Sequence, residues 1–336
     1  MSKPFRRFFS ITSYIEYFAQ INKTPSILSL TGVFLGALTK RNIKENLGMM
    51  RRAYYVNRLP AFPSFNLSKN LPKIELLIVV EEKDFELLEY TIRNFLKFSL
   101  NPVKRLVLVV PEDQIKNCKN VIDMIKPKIE FEILSEDDVV KESVRKILKL
   151  EFGNRYGWIL QQFITVAYLL EYKENVDEPV VALDADTLIQ NYTSWIDDKK
   201  RQILLPSIER HQPYYDLIKK LPKDILVKNR TFISHHMVYL PSRFRQIFEE
   251  IGFKEVNALV EFVIQNYDRS VNSPICVEFE IYAQYLCKFM PECRELLKFS
   301  NVSVNRKDYL ETIQKSNFKG VSFYRNFKSI SLHSYL

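Results

Sequence analysis

Short apolar runs alternate with stretches of helical periodicity in the chain beyond residue 72. The runs at residues 74–82, 103–112 and 128–136 are rich in Val, Ile and Leu and have the length of buried strands. Between them, residues 84–98 and 113–125 carry apolar side chains at the spacing that places them on one face of a helix. Strands that alternate with helices predict an open, mostly parallel, Rossmann-like sheet flanked by helices. In such sheets ligands bind at the carboxyl ends of the strands.

The next predicted strand ends in two aspartates. In VVALDADTLI (residues 180–189), Asp184 and Asp186 follow an apolar run, and both side chains lie on one side if the extended conformation persists. Two neighbouring carboxylates repel each other unless a cation or several hydrogen-bond donors lie between them. Mg²⁺ or Mn²⁺ with a polyphosphate meets this need, because these ions combine one or two carboxylates with phosphate oxygens and water. The alternative is a surface turn in which Asp186 caps the following segment.

A nearly all-apolar helix is predicted before this strand, in RYGWILQQFITVAYLLEY (residues 155–172). Gln161 and Gln162 are its polar interruption. A buried amide without hydrogen bonds costs about 1–3 kcal/mol, so at least one of the two needs a partner. That partner is either a loop carbonyl, with the other glutamine in solvent, or a ligand.

Two histidines and two glutamates mark the second half of the chain. His235 and His236 lie inside a predicted strand, where adjacent residues face opposite sides, so at most one of them faces a cleft; a structural role is the alternative for both. Glu278 and Glu280 begin a predicted helix among apolar neighbours. Burial raises the pKa of a carboxyl group, as a general base for a hydroxyl requires. Alternatively, both acids complement the amino end of the helix dipole.

The net charge of +9 lies entirely in the first 72 residues. This segment has eleven Lys and Arg against two Asp and Glu, which leaves the remaining residues balanced. Basic residues mixed with Phe and Tyr suit an anionic membrane surface. The alternative is a helical extension packed on the body. The apolar run at residues 25–39 is shorter than the roughly 20 residues of a spanning helix, and we identify neither a signal peptide nor a nucleic-acid recognition motif.

Composition narrows the class of protein further. With 336 residues and 46% hydrophobic content, the chain can bury a substantial core. Its four cysteines form no C-x-x-C pair, which disfavours a zinc site or a disulfide framework and favours reduced thiols in the cytoplasm.

Four motifs in a fixed order carry a resemblance to a known family. GWILQQFITV, VVALDADTLI, FISHHMVYLPS and EFEIYAQYL together resemble the GT-A fold, DxD-containing bacterial glycosyltransferase-like proteins over residues 73–336. The resemblance implies a nucleotide-binding half at residues 73–198 and an acceptor-binding half at residues 199–336. It does not cover residues 1–72, which we expect to form a basic helical extension. One departure is Thr165, where relatives often carry Lys after the paired glutamines, and this puts one phosphate or sugar contact in doubt.

The resemblance also implies roles for individual residues in binding the metal and the donor. Asp186 would bind the Mn²⁺ or Mg²⁺ that bridges the diphosphate, Asp184 would contact the ribose or the metal through water, and His333 would be a third metal ligand. The residues expected to hold the nucleotide-sugar are Asp84, at its base or ribose, and Trp158, Gln161 and Gln162, in the donor pocket.

The expected reaction is metal-dependent transfer of a sugar from a nucleotide-sugar to a hydroxyl of a glycan or lipid-linked acceptor, in surface polysaccharide synthesis. Either Glu280 or Glu278 would be the base. The expected location is the cytoplasm, peripherally on the inner face of the membrane. Two alternatives stay open: a nucleotidyltransferase acting on sugar phosphates, disfavoured because no Gly-rich phosphate loop follows the first strand, and a non-catalytic glycan- or membrane-binding protein.

Overall fold

The structure is a computed structural model that describes residues 43–61, 70–173, 177–269, 278–314 and 328–333. Most of the basic segment, residues 1–42 and 62–69, lies outside the described residues, so its expected membrane contact does too. Within the described residues, no helix is both long and apolar enough to cross a bilayer.

The central sheet has five strands in the order β3-β2-β1-β4-β7. The first four are parallel to one another, and β7 runs antiparallel to β4 at the edge. The predicted mostly parallel α/β sheet is therefore confirmed. The strands are β1 (Ile74–Val79), β2 (Val103–Val110), β3 (Glu130–Ser135), β4 (Val180–Leu183) and β7 (His236–Tyr239).

Two smaller sheets extend the fold beyond the central one. One has the order β5-β10-β9 and the other pairs β6 with β8. Their strands are β5 (Thr187–Ile189), β6 (Gln202–Leu204), β8 (Arg294–Leu296), β9 (Asn301–Asn305) and β10 (Ser329–His333). Because β5 follows β4 after only three residues, the chain passes from the central sheet into the second one at the two aspartates.

Helices cover both faces of the central sheet. Side chains alternate along β1, so Leu76 packs with α2 on one face and Leu77 packs with α6 on the other. Burying a large apolar side chain contributes roughly 1.5–3 kcal/mol, which makes these two layers the main source of stability. The helices are α1 (Ile43–Asn57), α2 (Phe85–Phe98), α3 (Ile115–Ile125), α4 (Glu136–Val139), α5 (Glu142–Phe152), α6 (Tyr156–Ala167), α7 (Gln212–Ile218), α8 (Pro241–Glu250), α9 (Val256–Asn266), α10 (Phe279–Phe289) and α11 (Arg306–Gln314).

Helix α1 is the described part of the basic segment, and it packs on the body. Ala53 and Val56 are buried against Ile208, and Arg52 Nε donates a hydrogen bond to the Ile208 carbonyl at 2.7 Å. For this stretch the structure agrees with the alternative of a packed helical extension.

Two local expectations are wrong. The strand before the two aspartates ends at Leu183, and the Thr187 amide donates to the Asp184 carbonyl at 3.0 Å, which closes a turn instead of extending the strand. Strand β7 begins at His236, and His235 lies outside it with a left-handed φ of 61°.

Candidate functional site

The turn that follows β4 places Asp184 beside His235. Leu183 of β4 pairs with His236 of the antiparallel β7. Asp184, which follows Leu183, therefore meets His235, which precedes His236, and the Asp184 amide donates to the His235 carbonyl at 3.0 Å. His235 Nδ1 lies 3.0 Å from Asp184 Oδ2. The left-handed backbone of His235 is uncommon for a residue with a side chain, and here it accompanies this contact.

Gln161 reaches the same aspartate from α6. Its Nε2 donates to Asp184 Oδ1 at 3.1 Å, so both oxygens of this carboxylate have a partner. Gln162 is buried in the interior instead. The paired glutamines therefore divide: one contacts the DxD turn and the other faces the core.

Asp186 meets His333 through the register of the second sheet. Thr187 pairs with Ser331 between β5 and β10, and the Leu332 amide donates to the Asp186 carbonyl at 2.8 Å. The next residue, His333, places its Nδ1 3.4 Å from Asp186 Oδ2. Burial raises the pKa of Asp186, but His333 and the positive charges of His235 and Arg306 outweigh it and leave the pKa below its usual value.

Glu209 completes the group, and sequence reasoning missed it because it lies in a loop without a motif. Its carboxylate is 2.7 Å from His211 Nε2 and 4.0 Å from His235 Nε2. Burial lowers the pKa of His235, yet the hydrogen bond and charge of Asp184, together with Glu209 and Asp186, raise it to about 9. The rings of His235 and His333 are 5.3 Å apart. We call Asp184, Asp186, Glu209, His235 and His333 the carboxylate–histidine cluster.

Asp84 lies at the carboxyl end of β1, next to this cluster. Its carboxylate accepts a hydrogen bond from Arg306, the first residue of α11, whose Nη1 also donates to the Lys83 carbonyl at 2.8 Å. Burial raises the pKa of Asp84 and outweighs the opposing effect of Arg306, and the charge of Asp186 adds to the rise. Arg306, like Glu209, carries no sequence signal that predicts its place here.

The cluster offers two adjacent ligands for a metal ion. Asp186 Oδ2 and His333 Nδ1 are 3.4 Å apart, which is longer than the roughly 3.0 Å between adjacent ligands about 2.1 Å from one octahedral ion, so a small side-chain movement would let both bind the ion. Within the described ranges, no group of three or more His, Cys, Asp or Glu has the geometry of a metal site. Asp184, which is expected to contact the ribose or to reach the metal through water, contacts Gln161 and His235. Mg²⁺ and Mn²⁺ fit such a pair because they take few protein ligands when a phosphate supplies the others.

Glu280 is joined to another part of the molecule. It is fully buried and accepts hydrogen bonds from Thr231 Oγ1 at 2.6 Å and the Phe232 amide at 2.7 Å. Tyr215 and Gln284 also donate to it, at 2.9 and 3.0 Å. Glu278 is also buried, immediately before α10.

The remaining residues of interest are on α6 and β7. Trp158 is 40% exposed, and Thr165 is buried, with its hydroxyl donating to the Gln161 carbonyl at 3.4 Å. His236 is buried with its ring edge-on against Trp195 and Phe299. Burial lowers its pKa to about 3. His236 is thus a neutral core residue, whereas His235 contacts Asp184 from outside the strand.

No protein-family model matches the chain, and no curated protein matches it in sequence. Among solved structures, the crystal structure of mouse xyloside xylosyltransferase 1 in its apo form is similar, with a TM-score of 0.44 and 11% identity. The similarity covers 77% of this chain and 97% of that chain. We base the function proposed below on the residues of the site.

Proposed function

We propose that this protein is a metal-dependent glycosyltransferase, which moves a sugar from a nucleotide-sugar donor to a hydroxyl of a glycan or lipid-linked acceptor. The observation that carries the proposal is the meeting of Asp186 and His333 at 3.4 Å, beside Asp184, where β4 ends. The carboxyl ends of the strands are the edge at which open α/β sheets bind ligands.

In this proposal, Asp186 and His333 hold Mn²⁺ or Mg²⁺. The ion would stabilise the negative charge that develops on the departing diphosphate. The pKa of Asp186 below its usual value favours an ionised ligand at neutral pH. His235, whose pKa is about 9, is a cation next to this position and would attract the diphosphate as well.

The nucleotide and sugar would lie along the same edge. Arg306 holds Asp84, and in this proposal Asp84 accepts a hydrogen bond from the base or ribose. Asp184 is held by Gln161, and this supports a contact between Asp184 and the ribose. We assign Trp158, which is partly exposed on α6, to the outer wall of the donor pocket. Gln162 is buried. We assign it to the packing beneath the donor pocket and not to a contact with the donor.

The base that accepts the proton of the attacking hydroxyl is one of two glutamates. Because four donors already bind Glu280, we favour Glu278. The conservative change Glu278→Gln is expected to lower the rate of transfer by 10²-fold or more, the usual contribution of a general base, without weakening donor binding. Equal transfer by the variant and the wild type would remove Glu278 from this role.

The basic segment, residues 1–72, is proposed to bring the enzyme to the inner face of the membrane, where lipid-linked acceptors for surface polysaccharides are found. Each Lys or Arg near anionic headgroups contributes about 1 kcal/mol. Flotation with anionic liposomes compares the wild type with a full-length variant that carries Glu at positions 3, 6 and 7, where Lys3, Arg6 and Arg7 stand. Equal flotation by both proteins argues against the membrane contact.

Ligand-dependent thermal unfolding tests the main proposal. UDP, GDP and CMP are each added with and without Mn²⁺ to the wild type, to Asp186→Ala and to Asp123→Ala, a control that removes an exposed aspartate from α3. A saturating ligand stabilises a folded protein by about 2.7 kcal/mol at a hundred times its Kd, which is several degrees in Tm. We expect this shift with one nucleoside diphosphate, only with Mn²⁺, in the wild type and the control.

Three outcomes would count against the proposal. A shift that persists in Asp186→Ala would remove Asp186 as a metal ligand, and a shift without Mn²⁺ would remove the metal dependence. No response to any nucleotide would contradict the glycosyltransferase and would favour a non-catalytic binding protein.

A further inference from the structure

One cavity of the described part of the structure lies away from the carboxylate–histidine cluster. It has a volume of about 280 Å³, and Lys328 lies in its wall, immediately before β10. His333, at the other end of β10, belongs to the cluster. Because a strand rises about 3.3 Å per residue, the two positions are roughly 16 Å apart. The cavity is therefore separate from the proposed donor site.

Most of the wall is apolar. Leu100, Leu205, Leu297 and Phe299 line it, and the last three are buried members of the core on one face of the central sheet. Side chains held in a packed core keep their positions, so this part of the wall is preformed. A rigid apolar cavity of this size suits an alkyl chain, which gains free energy with every methylene removed from water.

The charged side chains among the described lining residues are all basic. Lys298 and Lys328 line the cavity, and none of its described lining residues is Asp or Glu. Lys328 Nζ donates to the Tyr192 carbonyl at 3.1 Å, which fixes the ammonium at the wall. Burial lowers the pKa of Lys328, and a bound anion would counter this effect by favouring the charged ammonium.

Ser194 is the second polar feature. It lines the cavity, only 3% of the residue is exposed, and its Oγ has no hydrogen-bond partner in the described part of the chain. A buried hydroxyl without a partner is unfavourable. A ligand with an acceptor oxygen would satisfy it.

We propose that this cavity binds an anionic amphiphile with a single alkyl chain, whose tail lies against Leu205, Leu297 and Phe299 and whose acidic head contacts Lys298 and Lys328. A carboxylate and a phosphate monoester both have this chemistry: each carries negative charge and acceptor oxygens for the lysines and for Ser194. The site is independent of the proposed glycosyl transfer.

Isothermal titration with the full-length protein tests this proposal. The probes are decanoate, decyl phosphate and the neutral decanol, together with the shorter hexanoate and octanoate. We expect decanoate or decyl phosphate to bind at least tenfold more tightly than decanol, and affinity to rise up to about fourfold per added methylene. Preference for the carboxylate indicates a fatty acid as the natural ligand, and preference for the phosphate indicates a lipid phosphate; either result supports the site.

Two variants locate the binding. Lys298→Gln/Lys328→Gln keeps the polar contacts but removes both charges, and it should weaken decanoate at least tenfold while leaving decanol unchanged. Lys254→Gln, at an exposed lysine paired with Glu249, is the matched control. Leu297→Trp fills the cavity and should abolish binding of both probes, with the Tm of each variant confirming that it folds. Equal affinity for decanoate and decanol, no saturable binding, or unchanged binding in the double lysine variant would overturn the proposal.

Discussion

The two ends of the central sheet both bring carboxylates together with cations, but they do so differently. At the amino end, Glu75 of β1 is completely buried and receives Arg105 at 2.6 Å, Lys173 at 2.5 Å and the Tyr168 hydroxyl at 2.6 Å. Every contact of this network is supplied by protein groups. Its charge is compensated where it stands, and nothing in the arrangement calls for a ligand.

At the carboxyl end, Asp184 and Asp186 are less enclosed, and their closest charged partners are histidines. The Asp184 and Asp186 side chains are 26% and 21% exposed, and histidines, not Lys or Arg, contact them most closely. A histidine can bind a metal through a ring nitrogen, whereas the ammonium of Lys and the guanidinium of Arg are cationic donors that pair with a carboxylate. The difference teaches that a buried acid does not by itself indicate a ligand-binding site. The residue type that pairs with the acid, and the solvent access that the acid retains, are the better indicators.

We expect the largest loss of stability from a variant that breaks the network around Glu75 at the amino end of the sheet. Glu75→Ala leaves Arg105 and Lys173 without their shared carboxylate, and removing one partner of a buried ion pair destabilises by about 3–5 kcal/mol. Urea unfolding measures the change in the free energy of unfolding, with Glu130→Gln on the exposed side of β3 as the control. A loss below 1 kcal/mol would mean that the network contributes no more than a surface ion pair.

A second prediction decides to which kind of carboxylate Glu280 belongs. Glu280→Gln turns an acceptor into a group that is half donor, facing the Thr231 hydroxyl and the Phe232 amide. If Glu280 is structural like Glu75, we expect a loss of about 2 kcal/mol in the free energy of unfolding, with donor-induced stabilisation retained. Unchanged stability together with a rate of sugar transfer at least 10²-fold lower would instead place Glu280 among the catalytic residues.

Much of the fold could be predicted from the sequence because its signals are local. Apolar runs of strand length and helical periodicity each depend on neighbours in the chain, and the predicted strand at residues 74–82 appears as Ile74–Val79. The turn at Asp184 could not be predicted this way. It forms because β5 pairs with β10, more than a hundred residues later, and no local pattern reports that pairing.

The candidate site also contains residues that local sequence predicts and residues that only the tertiary fold brings in. Asp184, Asp186 and Gln161 stand out in the sequence, since polar groups interrupt apolar segments there. Glu209 and Arg306 reach the site only through the tertiary fold, from a loop and from the start of α11. Glu280 shows the converse: its motif suggested chemistry, whereas its contacts hold Thr231, Phe232 and the Tyr215 side chain of α7 against α10.

We expect the smallest change in stability from another carboxylate at the carboxyl end of the sheet, Glu136, which directly follows β3. Burial first, and then the negative charge of Glu81, raise its pKa from 4.5 to about 7, although Arg145 opposes this. Between these two pH values the folded protein holds a proton that the unfolded chain has lost, so stability falls as the pH rises through this window. Because Glu136 is partly exposed, we expect a fall of about 1–2 kcal/mol. Glu136→Gln cannot ionise, so the contribution of Glu136 should be missing from the variant's pH dependence in urea unfolding measured from pH 4.5 to 8, whereas those of His235 and His236 remain in both proteins. The variant should therefore be more stable than the wild type at pH 8. Glu130→Gln again serves as the control. If Glu136→Gln kept the pH dependence of the wild type, Glu136 would not be the group that titrates in this window.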